Sequence, residues 1–121
     1  MNTQTAQTVY PTFGQLKKTF LDSGYEIRLF PQHQLEQLAL DAPAEVKRHL
    51  QSNIMGLIMP DEAVIGLAQE LPGDEKAVTL LHELIHLYDE EMDEEDVENA
   101  TLELEQSLTP AQFGFLQFLV S

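Results

Sequence analysis

The sequence contains no cysteine. That excludes a disulfide framework and every zinc site built on thiolates, so a metal centre here must be assembled from histidine and carboxylate. Basic residues are also scarce: six Lys and Arg stand against 21 Asp and Glu, a formal net charge of −15. Nucleic acids and anionic membrane surfaces are held through positive charge, so neither is expected as a partner. No apolar run approaches the length of a membrane span. The opening residues, Met1 to Thr8, lack the basic start and apolar stretch of a secretory signal, so a cytoplasmic location is expected. There are no internal repeats.

What is present suits one small domain. The 121 residues are 43% apolar, which argues for a packed core rather than disorder. Residues 1 to about 10 read as a flexible tail, and 11–121 as one compact unit. Residues 11–22 have helical apolar spacing, with Gly24 as the residue that ends the helix. Tyr25 to Phe30 alternates and is β-rich, which predicts a strand closed by Pro31. Gln34–Leu40 and Pro43–Gln51 read as short helical segments; His33 and His49 fall in this region and read as surface or packing residues. Ile54–Met59 and Ala63–Ala68 are short apolar runs around a Pro60-Asp61-Glu62 turn, which predicts a β-hairpin. Gly56 and Gly66 within it would allow something to approach the backbone closely. The expected class is α+β: an N-terminal helix, a small three-stranded sheet with a hairpin, then three helices.

The most specific chemical signal is His82-Glu83-Leu84-Ile85-His86. On a helix, residues four apart share a face, so His82 and His86 project together and can hold one zinc ion. Glu83 lies one step round, where it could act as general base on a metal-bound water. At about 100° per residue, Ala77, Val78, Leu81, Leu84, Ile85 and Tyr88 cover one side, and Leu80 and Leu87 widen it. The remaining polar stripe is narrow and carries the motif. A helix apolar round most of its circumference is a buried helix, so this stripe is expected to line a cleft. The helix is predicted over about 75–90, with Asp74 as its N-cap.

A dense acidic run follows: Asp89, Glu90, Glu91, Asp93, Glu94, Glu95, Asp96 and Glu98. Most of it reads as solvated surface. Asp93 can cap a further helix whose core face holds Val97, Thr101, Leu104 and Leu108. Catalytic zinc usually takes three protein ligands, and no histidine follows His86. Glu94 borders the core face of that helix and is the candidate third ligand. Glu98, one turn on, is a candidate to accept a hydrogen bond from a ligand histidine, with Asp89 a weaker one. The reversed assignment, with Glu98 as ligand, stays open. Thr109-Pro110 starts a last helix rich in Phe, Leu and Val, expected to complete the core.

With His82-Glu83-Leu84-Ile85-His86 followed by Glu94-x-x-Val97-Glu98-x-Ala100-Thr101, roughly residues 25–108 resemble the gluzincin metallopeptidases in their small form, the minigluzincins and ImmA/IrrE-type domains. The chain departs from that pattern in having Val97-Glu98 where those domains usually carry Ala-Asn. It also has only seven residues between His86 and Glu94, so the first helix must stop soon after Tyr88. The resemblance implies a zinc-dependent endopeptidase, regulatory or latent, acting on a peptide or protein through a Glu83-activated water. It also suggests Thr109 to Ser121 as a segment that could plug the cleft, although its aromatics read as core. The alternative is a catalytically inactive zinc-binding interaction module of the same fold.

Overall fold

The computed structural model describes residues 10–43 and 54–121. The expected tail and the second short helical segment, with His49, lie outside the described residues, apart from Tyr10 and Pro43. Helix α1 (Phe13–Ser23) starts at Thr12, whose side chain accepts from Gln15 N while Gln15 reciprocates, and stops at Gly24, whose φ of 78° suits a residue without Cβ. Strand β1 (Glu26–Phe30) leads into α2 (Gln32–Leu40). This helix begins two residues earlier than expected, because Gln32 N donates to the Glu70 carboxylate at 3.0 and 3.1 Å. Pro31 at the N-cap offers no side-chain acceptor, so a residue distant in sequence supplies it.

Strands β2 (Gly56–Met59) and β3 (Val64–Ala68) form the expected hairpin. Its turn closes through Ala63 N donating to Pro60 O at 3.1 Å, with Ala63 itself at a φ of 53°. The sheet order is β1-β3-β2: β1 runs parallel to β3 and β2 antiparallel to it, so β2 is an edge strand among the described residues. Ile65 and Leu67 face one side of the sheet, with Ile58 beside them, and join the main core. Leu57 and Ala68 face the other, where they meet Leu35 and Ala39 of α2. This is the period-2 alternation of a strand buried on both faces.

The main core is built on α3 (Gly73–Tyr88), which packs against β2, β3, α1, α4 (Glu94–Ser107) and α5 (Pro110–Leu119). Residues from Leu80 to His86 of α3 are all buried, as the nearly all-round apolar pattern requires. Asp74 is not the N-cap: Lys76 N already bonds Pro72 O at 2.8 Å, which puts Pro72 at the cap and Asp74 in the first turn. There its charge complements the helix dipole. Asp93 does cap α4, accepting from Asp96 N, and Thr109 caps α5 in a capping box with Gln112. Leu116 and Val120 enter the main core, so the C-terminal segment completes it, while Phe118 is 74% exposed. No helix among the described residues is long and apolar enough to cross a membrane.

Candidate metal centre

Helical spacing stacks His82 and His86 on one face of α3, with ring centroids 4.9 Å apart and an interplanar angle of 67°. Both residues are buried, at 8% and 5% exposure. After Tyr88 the chain reverses at once. Asp89 ends the helix, and its carboxylate accepts from Glu91 N at 3.1 Å. Met92 N returns to Asp89 O, and the Met92 side chain is buried in the main core as an anchor. Asp93 then starts α4, so that Glu94, its first residue, faces back across the reversal. The short spacing that forces α3 to end at Tyr88 is what delivers this carboxylate.

Glu94 spans both imidazoles. Its Oε2 lies 3.1 Å from His82 Nε2 and its Oε1 lies 2.8 Å from His86 Nε2. One donor atom from each of the three residues lies within 4.8 Å of the other two, so the group could hold a metal ion. Bonds of about 2.1 Å at tetrahedral angles place two donors about 3.4 Å apart, inside the 4.8 Å that spans the three donors here. The donor set is also suitable: two neutral imidazoles and one carboxylate form a recognised three-ligand set for zinc.

Glu83 lies beside this group. It is 9% exposed, and no hydrogen bond to its carboxylate is found among the described residues. Burial, and secondarily the charge of Glu94, pushes its carboxyl up to about 8 from an ordinary 4.5. Strand β2 lies directly over it: a Cβ at Gly56 would stand 2.9 Å from Glu83 Oε2. A carboxyl poised near neutrality is suited to exchanging protons.

The other candidates fall as follows. Asp89 is half-buried in the reversal, and Glu98 is exposed on α4 one turn after Glu94. His33 is exposed on α2, across the sheet from α3. Glu90, Glu91 and Glu95 are exposed, and Asp96 is half-buried near the α4 cap. The close approach of Gly56 to Glu83 joins a sheet residue to the site; the glycine was visible as a place of close approach, but its partner was not.

The raised Glu83 carboxyl has a consequence for stability. In the folded, metal-free protein the group keeps its proton to about pH 8, whereas the unfolded chain loses it near 4.3. Stability is therefore greatest at the acid end of that window and falls as the pH rises through it, by up to about 1.4 kcal/mol per unit from this group. Urea titrations of the metal-free protein at pH 5.5 and 8 should show this fall, and Glu83→Gln should reduce it. An equal fall in both proteins would show that Glu83 is not its source.

Comparison with models of known protein families, with curated proteins and with solved structures finds no match to this chain.

Proposed function

We propose that the protein is a zinc-dependent peptidase of the gluzincin type. The observation that carries this reading is the convergence of His82, His86 and Glu94, donor atoms within 4.8 Å of one another, beside a buried Glu83 carboxylate. In it, His82, His86 and Glu94 hold the ion, with Glu98, one turn further along α4, the candidate to accept a hydrogen bond from the outer nitrogen of His82. A zinc ion there would polarise a scissile carbonyl and acidify a water.

The remaining steps belong to the chain's own groups. Glu83, as the ionised carboxylate, accepts the proton of the attacking water and passes it to the leaving amine nitrogen. The outer side of β2, which pairs only with β3 among the described residues, offers backbone N–H and C=O groups to an extended peptide. Its first residue, Gly56, stands over Glu83, so a peptide lying along β2 passes the general base.

The test is hydrolysis of a mixed peptide library by zinc-loaded protein, with a chelator-treated sample beside it. Cleavage that disappears with the chelator and returns with zinc supports the reading. A zinc-loaded protein that cleaves nothing overturns it.

A further inference from the structure

Six glycines occur in the chain, and all lie among the described residues. At Gly14, Gly73 and Gly114 an added Cβ would meet open space or one ordinary contact, and Gly24 is required by its φ of 78°. Gly66 makes room for the Phe30 ring and for Leu35, which is core packing. Gly56 is different. Its φ is outside the positive region, so its backbone would accept a side chain. The space a side chain would need is taken by Glu83 Oε2 and Thr79 Cγ2, each at 2.9 Å, and by Glu83 Cγ at 3.0 Å. Contacts this short force a neighbour to move. A glycine within a strand is itself unfavourable relative to alanine, so this position weakens the strand in return for that space.

We propose that Gly56 is a positioning residue for Glu83: its missing side chain leaves the space in which the carboxylate is held between β2 and α3, one residue along the helix from His82. The catalytic part of the inference rests on the peptidase reading above. Register explains the arrangement. Gly56 and Ile58 share the face of β2 turned to α3, while Leu57 points to α2. At Gly56 the general base is therefore roofed by backbone alone, with no side chain between β2 and the carboxylate. A methyl group there would swing Glu83 out of its place while leaving the three donor atoms untouched.

Two measurements test this. The first is a double-mutant cycle on unfolding midpoints in urea, with Gly56→Ala and Glu83→Ala made singly and together. Every protein in it carries Thr79→Ser, which removes the competing methyl contact. We expect Gly56→Ala to lower the midpoint, or to prevent folding, when Glu83 is present, and most of that loss to vanish in the Glu83→Ala background. Equal losses in both backgrounds, or failure to fold in both, overturn the proposal. The second uses zinc-loaded protein with native Thr79. Gly56→Ala should keep one zinc per chain, lower kcat by about 10-fold or more and change KM by less than about threefold. An unchanged kcat would make Gly56 a packing residue only and overturn the proposal. If the parent protein hydrolyses no peptide, the peptidase reading fails by itself. The cycle then still decides whether Gly56 holds the carboxylate.

Discussion

Replacing Glu83 with Gln is expected to lower peptide hydrolysis by about 10²–10⁴-fold while one zinc per chain is retained. The two side chains have the same shape, so the amide fits the space under Gly56 that the carboxylate occupies. What it lacks is the ability to take a proton. The three donor atoms, on His82, His86 and Glu94, are unaltered, so metal content should not follow activity. Elemental analysis and an initial-rate assay on the same preparation separate the two quantities. Loss of zinc together with activity would make Glu83 a structural support of the metal group. Activity within a few-fold of the parent would leave it out of the chemistry.

Local signals are legible in this sequence and long-range ones are not. Gly24, Asp93 and Thr109-Pro110 mark helix ends through contacts no more than a few residues long, and the structure puts helix ends at each. The start of α2 was misjudged because its acceptor is Glu70, 38 residues further on. Asp74 is not the cap because the helix starts earlier, at Gly73, and a proline carbonyl accepts a helical bond as well as any other. The hairpin was legible from two apolar runs and a turn. The parallel pairing of β1 with β3 was not, since it joins strands far apart in sequence and both its residues and its order are set by packing.

The same distinction runs through the site. His82 and His86 meet because of helical periodicity alone, which is a local rule. Glu94 is legible as the residue bordering the core face of α4, on which Val97, Thr101 and Leu104 are buried. The geometry brings Glu94, rather than Glu98, against both imidazoles. The environment of Glu83 lay beyond such reasoning. Its high proton affinity comes from burial, and the burial involves a strand 27 positions earlier whose register was not predictable to one residue.

Zinc should stabilise the fold substantially, because the ion joins the end of one helix to the start of another. In the metal-free protein His82 and His86 are tied to Glu94 by hydrogen bonds of 3.1 and 2.8 Å. These exchange with water on unfolding and contribute modestly. An ion bound only by the folded state adds about 2.7 kcal/mol at a free concentration 100 times its Kd. For a chain of this length that corresponds to a rise of roughly 10 °C in Tm. The acidic run from Asp89 to Glu98 could bind cations non-specifically, but such oxygen-only binding would serve calcium at least as well as zinc. A specific site therefore predicts a large shift with zinc, little with calcium at the same concentration, and loss of the zinc shift in His82→Ala. That variant leaves Glu94 facing a single imidazole, so its own metal-free Tm must be the baseline. Equal shifts with both cations, or a zinc shift surviving in His82→Ala, would place the ion on the acidic surface and remove the basis for the proposed chemistry.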